Sequence, residues 1–331
     1  MTDLLSILIP VRDEKENVYI ISNEIEKKIE NSNYEIVVLD TLVFDTKSLE
    51  KHSKNSKLTI VPKDIRDYKN IEEHFENVDT VVHLAALVGE AACKISEKDT
   101  ISINYEATEQ LAKIFIKKKI KNFIFMSTAS SYGVQNIDEI ADEDTSLNPV
   151  SLYAKTKIDC EQLLLKKYSD DLNITIFRPS TVYGDSLRMR FDLILNHLVK
   201  DAYFKKEIKV FGPKMVRPLM WVGEPARVYK MIIEDDKHKF RSQIFNLGYN
   251  NENYEKIQIA SLVQKKFFEN IKLEIVENDL DLRSYRLNFN KMKSFFDLEP
   301  YTDILQETSK IIKNFEEKNY GDVDHKKYYN A

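Results

Sequence analysis

Tyr153 and Lys157 stand four residues apart in the stretch Tyr153-Ala154-Lys155-Thr156-Lys157. Residues so spaced on a helix are neighbours on one face. A lysine ammonium beside a phenol favours the phenolate and lowers its pKa, which a base working near neutrality requires. Thr128 comes 25 residues before Tyr153, at the end of an apolar run, where its hydroxyl could hold a reacting oxygen against the phenol. With 17 tyrosines in the chain, about one such pair is expected by chance, so the spacing alone is a weak signal. Its place at the start of a helical segment, after a fifth strand-like run, gives it force.

Those groups need a scaffold, and the hydropathy pattern supplies one. Short β-branched and apolar runs alternate with longer amphipathic segments, the pattern of a parallel sheet with crossover helices. Strands are expected at about 5–11, 34–39, 57–61, 79–84, 121–127 and 173–178, and helices at about 16–30, 67–76, 101–118 and 151–169. Runs such as Ile36-Val37-Val38-Leu39 and Phe123-Ile124-Phe125-Met126 are apolar throughout, as when both sheet faces are covered. The fold class expected is α/β, a doubly wound parallel sheet of six or seven strands. After about residue 185 the pattern loosens, with strand-like pieces near 207–211, 243–247 and 272–276. The expected division is residues 1–185 for the sheet domain, 186–318 for a smaller lobe and 319–331 for a frayed polar tail.

Composition excludes several classes. The net charge of −5 comes from 49 basic and 54 acidic residues interspersed along the chain, without the concentrated basic face that nucleic acid requires. No window approaches the roughly 18 apolar residues of a membrane span, and the opening Met1-Thr2-Asp3 does not read as a signal peptide. Cys93 and Cys160 cannot build a disulfide framework or a zinc site, so no metal is expected and both read as reduced cytoplasmic thiols. Lys117-Lys118-Lys119 reads as a solvated helix end, where cations suit the dipole.

A set of ordered motifs resembles the extended short-chain dehydrogenase/reductases, in their nucleotide-sugar epimerase and dehydrogenase branch. The matching pieces are Val37-Val38-Leu39-Asp40, Lys63-Asp64-Ile65-Arg66-Asp67, His83-Leu84-Ala85-Ala86-Leu87-Val88-Gly89 and Ile103-Asn104-Tyr105-Glu106-Ala107. They continue with Ser127-Thr128-Ala129-Ser130-Ser131-Tyr132-Gly133, the Tyr153/Lys157 pair and Arg178-Pro179-Ser180-Thr181-Val182-Tyr183-Gly184. The resemblance spans residues 34 to 318 or so and implies a Rossmann-type sheet with a smaller substrate lobe.

It also implies roles. Thr128, Tyr153 and Lys157 would be catalytic. Asp40 would bond the adenine-side ribose of NAD, since a carboxylate there disfavours the phosphorylated cofactor. Asp64 and Ile65 would flank the adenine, Leu84, Ala85 and Ala86 would line the cofactor's path, and Asn104, Tyr153, Lys157 and Arg178 complete the cofactor set. A nucleotide-sugar substrate would meet Thr128, Thr181, Asp192, Arg217, Asp281 and Tyr285, with the Arg217 guanidinium suited to a diphosphate. A homodimer is implied, with stretches 101–118 and 151–169 pairing across a four-helix contact and Leu111, Ile114, Phe115, Leu163 and Leu164 as candidate surface, although some of these must face the sheet.

Departures from the pattern narrow the reading. The 4,6-dehydratases of the family place Asp-Glu after the threonine; Ala129-Ser130 stand here, which argues against dehydration. Ser130 also replaces the cysteine usual in enolising epimerases. Reversible hydride transfer remains: C4 epimerisation, C4 oxidation or keto-sugar reduction. Asp192 stands where an amide is commoner and Asn278 where an arginine is, while Leu187-Arg188-Met189-Arg190-Phe191-Asp192-Leu193 looks like a bacterial subgroup that includes GDP-heptose 4-dehydrogenases.

The largest departure is the missing glycine-rich turn. Pro10-Val11-Arg12-Asp13-Glu14-Lys15-Glu16-Asn17-Val18-Tyr19-Ile20-Ile21-Ser22 has no glycine, and its acids would repel a pyrophosphate that needs close backbone donors. Residues 6–17 are instead similar to the opening of family 2 glycosyltransferases, although only about 35 residues carry that likeness and no metal-binding Asp-x-Asp follows within them. Two readings stay open on the sequence: an NAD-dependent oxidoreductase or epimerase with an unusual loop, or a non-catalytic relative that binds a nucleotide-sugar or a partner chain.

Overall fold

The computed structural model describes residues 5–11, 34–43, 57–136, 139–186, 188–235, 237–277 and 283–329. The expected helix at 16–30, most of the glycine-free stretch, Asn278 and Asp281 lie outside them. Fourteen strands occur among the described residues: β1 (Leu5–Val11), β2 (Tyr34–Asp40), β3 (Leu58–Pro62), β4 (Thr80–His83), β5 (Asn122–Met126), β6 (Ile140–Ala141), β7 (Asn173–Pro179), β8 (Thr181–Tyr183), β9 (Glu207–Phe211), β10 (Val216–Trp221), β11 (Gln243–Leu247), β12 (Asn253–Glu255), β13 (Lys272–Val276) and β14 (Arg286–Leu287). The longer helices are α1 (Ala107–Lys118), α2 (Leu152–Leu163), α3 (Ile194–Lys205), α4 (Glu224–Ile233), α5 (Lys256–Phe267) and α6 (Ile304–Glu316).

The chain divides into two compact units. The first comprises Met1–Thr128, Ser151–Arg178 and Pro225–Phe245. Its seven-stranded sheet has the order β3-β2-β1-β4-β5-β7-β11. From β3 through β7 the neighbours run parallel, with Val38 opposite Ile60 and Val81 opposite Phe123. The strand order reverses between β1 and β4, and ligands of such sheets bind beyond the carboxyl ends at that switch point.

The expected apolar strands are core strands: every residue of β4 and β5 is buried. Phe115 of α1 meets Phe75 and Phe123 at 5.2 and 4.9 Å between ring centroids. Truncating such a fully buried ring typically costs about 3–5 kcal/mol. Helix α2 begins at Ser151, whose hydroxyl accepts the Ala154 N–H at 3.2 Å, and α1 ends at Lys119 in a left-handed conformation. The lysines at that end pair with acids: Lys117 lies 2.6 Å from Glu72, and Lys118 contacts Glu76. Exposed pairs of this kind add little to stability, because water and salt screen them.

The second unit comprises Ala129–Val150, Pro179–Glu224 and Asn246–Ala331. It holds three small sheets, β12-β10-β8, β9-β13 and β6-β14. Its larger core gathers Phe191, Leu195, Ile208, Ile259, Ile311 and Phe315, and a smaller one joins Tyr132, Tyr285 and Phe289.

Three expectations differ from these observations. The units are discontinuous, not split near residue 185, because β11 joins the first unit's sheet while β6 pairs with β14 in the second. Residues 319–329 are not frayed: Tyr320 and Tyr328 are 6% and 1% exposed and pack edge-on against Phe191. Leu111, Ile114, Phe115 and Leu164 belong to the first unit's core, so of the five candidate positions only Leu163, partly buried against that core, is left for the expected partner surface. No helix of the described residues is long and apolar enough to cross a membrane, and none of their His, Cys, Asp and Glu side chains cluster to hold a metal.

Candidate active site

In the first unit, Tyr153 and Lys157 take up one face of α2, as their spacing requires. Tyr153 is half-buried, whereas Lys157 is 2% exposed. The Lys157 ammonium donates to the carbonyl oxygen of Met126 at 2.8 Å and sits 4.7 Å from the centre of the Phe125 ring. Both partners belong to β5, and Ser127-Thr128 follow directly. Thr128 is 7% exposed. Strand end and helix face are thus fastened together at the residues that carry the expected chemistry.

The residues expected at the cofactor lie beyond the carboxyl ends of β2, β3 and β4. Asp40 is the last residue of β2, 2% exposed, and its Oδ1 accepts the Leu42 N–H at 2.6 Å. Asp64 is held by Arg66, which donates from Nε and Nη2 at 3.0 and 2.7 Å. These hydrogen bonds, with a further one from Arg66 to Asp99, raise the guanidinium above its ordinary pKa. The Ile65 side chain is in the hydrophobic core, so a ligand could meet only its backbone. Leu84, Ala85 and Ala86 are buried just after β4.

Asn104 braces the segment that follows them. Its Oδ1 accepts the Leu87 N–H at 2.7 Å and its amide donates to the Leu87 carbonyl at 3.0 Å, as a neighbouring strand would. Residues Ser102–Glu106 make one wide helical turn that leads into α1. Such turns free a backbone carbonyl; here the Asn104 carbonyl accepts from Thr108 Oγ1 at 2.7 Å and Cys160 Sγ at 3.1 Å.

Burial, and after it the charge of Lys157, pulls the His83 imidazole down to about 3. The Thr108 hydroxyl proton is committed to Asn104, so its lone pair must accept from His83 Nε2, 3.0 Å away. His83 is therefore neutral with its proton on Nε2.

One residue of this region carries no motif signal of its own. Glu161, two turns beyond Tyr153, accepts a hydrogen bond from Ser127 and pairs with Arg178 at 2.6 Å. Arg178, expected at the cofactor, is 4% exposed and committed to this pair, so any ligand contact would come beside it. The spacing of Tyr153, Lys157 and Glu161, each one turn apart on α2, is the signal that could have found Glu161.

Of the residues expected at the substrate, Thr181, Asp192, Arg217 and Tyr285 are described in the second unit. Thr181 begins β8 and is half-buried. Arg217 lies on β10, 5% exposed, with Nη1 donating to the Val216 carbonyl at 2.9 Å and to that of Arg283. Asp192 is gripped by Arg190 at 2.7 and 2.6 Å, which offsets its charge. Tyr285 is 4% exposed in the smaller core. Arg283, which no motif singled out, donates to Ser130 Oγ at 3.2 Å.

The donor set of the first unit fits a dinucleotide. A buried carboxylate stands at the end of β2, where a ribose diol needs an acceptor, and small side chains follow β4. A lysine beside a tyrosine completes it.

Comparison with known proteins shows the family. The model of the NAD dependent epimerase/dehydratase family matches residues 21–248. A putative UDP-glucose 4-epimerase of Methanocaldococcus jannaschii is 27% identical over 241 residues, 71% of this chain and 75% of that protein. The N-acetyl-alpha-D-glucosaminyl-diphospho-ditrans,octacis-undecaprenol 4-epimerase of Escherichia coli O157:H7 is 25% identical over 231 residues, 66% of this chain and 62% of that protein. Among solved structures, the UDP-glucuronic acid 4-epimerase of Bacillus cereus, in complex with UDP-glucuronic acid and NAD, has a TM-score of 0.79 at 22% identity. That match covers 95% of this chain and 99% of the other.

Proposed function

Because the chain belongs to the NAD-dependent epimerase/dehydratase family, we propose that it acts on a nucleotide-sugar, as an epimerase or dehydrogenase transferring hydride at a sugar carbon, C4 by preference. The observation that carries this reading is the fastening of Lys157 to Met126, beside Thr128 and one turn from Tyr153. An arrangement kept only for packing would not bury a lysine ammonium beneath a half-exposed tyrosine, since burying charge is costly.

NAD, when bound, supplies the hydride acceptor and donor. Asp40 would hold its adenine-side ribose, Asp64 and the Ile65 backbone its adenine, and Lys157 its nicotinamide ribose. Leu84, Ala85 and Ala86 would border its path, with Asn104 shaping that border through Leu87. Tyr153 takes the proton from the sugar hydroxyl, its phenolate favoured by the Lys157 charge. Thr128 donates to or accepts from the same sugar oxygen and so orients it. Arg217 meets the diphosphate, and Thr181, Asp192, Asp281 and Tyr285 complete the substrate set. Ala129-Ser130 offer no acid and base for eliminating water, which favours epimerisation or oxidation over dehydration.

The two cysteines are free and buried, which suits a reducing compartment, and we place the chain in the cytoplasm. A homodimer fits the same reading, with exposed Ile101 and half-buried Tyr105, Ile116 and Leu163 left as its apolar surface. Sedimentation at micromolar concentration tests that.

The test of function is direct. The chain is incubated with NAD and UDP-, GDP- and dTDP-linked sugars, and products are followed by nicotinamide absorbance and by sugar analysis. Turnover of one class supports the reading. Binding of a nucleotide-sugar without turnover of any class would replace it with the non-catalytic one.

A further inference from the structure

Glu161 is 2% exposed, and its carboxylate is engaged from two directions. Ser127 donates its hydroxyl to Oε1. Arg178 donates from Nε to Oε1 at 3.1 Å and from Nη2 to Oε2 at 2.6 Å. One turn earlier on α2, Lys157 holds the carbonyl of Met126. Two successive turns of the helix therefore grip two successive residues at the end of β5, and the next residue is Thr128.

We infer that Glu161 is a positioning residue for the reaction proposed above, and the inference rests on that reading. With Lys157 it fixes the carboxyl end of β5 against α2, and so sets where the Thr128 hydroxyl stands relative to the Tyr153 phenol. Arg178 has a separate part. A carboxylate one turn from Lys157 would draw on that ammonium and compete with the phenolate for it. The fork from Arg178 engages both carboxylate oxygens and offsets the charge, leaving the Lys157 ammonium to Tyr153 and Met126. A mispositioning of about 1 Å at reacting groups can cost on the order of 10² in rate, so a clamp this close to Thr128 has kinetic weight.

The test uses the full chain with NAD and the nucleotide-sugar it turns over best. Ser127→Ala removes only the hydroxyl between Glu161 and β5 and leaves the ion pair intact. Glu161→Gln keeps the side chain's shape but weakens both arms. Each variant is expected to lower kcat by about 10- to 100-fold, with KM for either substrate moving less than about threefold. The double variant is expected to be no slower than Glu161→Gln, because both act through one contact. Hydrogen exchange of the amides of residues 122–128 is expected to quicken in both single variants.

Wild-type kcat in Ser127→Ala, or losses that multiply in the double variant, would overturn the inference. Should Glu161→Gln fail to fold, Ser127→Ala decides alone. A wild-type chain that turns over no nucleotide-sugar sinks the functional reading instead. The clamp is then judged on exchange, and unchanged exchange in both variants would overturn it too.

Discussion

Lys157 Nζ lies 2.8 Å from the carbonyl oxygen of Met126, which stands two residues before Thr128. The lysine is thereby held at a fixed height on the helix that carries Tyr153. Replacing Tyr153 with Phe removes the ionisable hydroxyl and nothing else. Hydride transfer is expected to fall by a factor of about 10²–10⁴, with the thermal midpoint unchanged. Steady-state kinetics and a melting curve on the same preparation check this; turnover like the wild type would remove Tyr153 from the mechanism.

NAD is expected to bind weakly. The stretch from Pro10 to Ser22 lacks glycine, and each lost backbone contact to a charged phosphate costs about 1.5–3 kcal/mol. Two such contacts weaken binding by a factor of order 10²–10⁴. Grafting a Gly-x-x-Gly-x-x-Gly turn in place of residues 10–21 is expected to restore affinity in calorimetry. Tight binding by the unaltered chain would mean that another group, such as Arg12, covers the phosphates.

Glu252 gives the second unit a pH dependence. It is 4% exposed, and its Oε2 meets no hydrogen-bond partner among the described residues. Burial first, then the nearby Asp303 and Glu224, push its carboxyl up to about 7, against a stabilising hydrogen bond from Tyr254. A folded value above the ordinary 4.5 means stability is fully present below 4.5 and is lost as pH rises through about 7. The loss is on the order of 3 kcal/mol. Glu252→Gln should therefore unfold at higher urea than the wild type above neutrality and match it in acid. A constant difference across pH would show that Glu252 does not titrate as argued.

His83 acts with the opposite sign. Its folded value near 3 lies below the ordinary 6.5, so its contribution is fully present above 6.5 and falls as pH drops toward 3. Nitrogen NMR is expected to find a neutral ring protonated on Nε2 well below pH 6.5. A cationic ring there would show that burial does not hold the imidazole neutral, and a neutral ring protonated on Nδ1 would contradict the hydrogen bond assigned to Thr108.

Gly133 is fixed by space as well as conformation. Its φ is +65°, and an added Cβ would stand 1.6 Å from the Asn148 carbonyl oxygen. Gly133→Ala is expected to cost roughly 2–3 kcal/mol, read as a lower denaturant midpoint. An unchanged midpoint would mean that the turn relaxes freely.

The parallel sheet was legible because its strands are apolar on both faces, and few other structures need Phe123 to Met126 all buried. The Tyr153/Lys157 pair was legible because one helical turn fixes their adjacency. Glu161 was not. A glutamate on a helix ordinarily faces water, and its burial depends on Arg178 and Ser127, 17 and 34 residues away. The apolar positions of α1 were legible only in part: Leu111 and Phe115 show hydrophobic periodicity, but periodicity does not say which positions face the sheet and which a second chain. The terminal residues read as a tail because polar residues surround Tyr320 and Tyr328, while only the fold shows that Phe191 receives both rings.

Strand β11 lies at the open edge of the sheet, next to β7, although more than sixty residues separate them in the chain. During synthesis β7 therefore leaves the ribosome well before its neighbour, and a growing chain presents that strand with a bare row of backbone donors and acceptors. Bare edges of this kind recruit other strands. A nascent chain stalled between the two is the species most exposed to aggregation, and a chaperone that caps extended segments would find its natural client there.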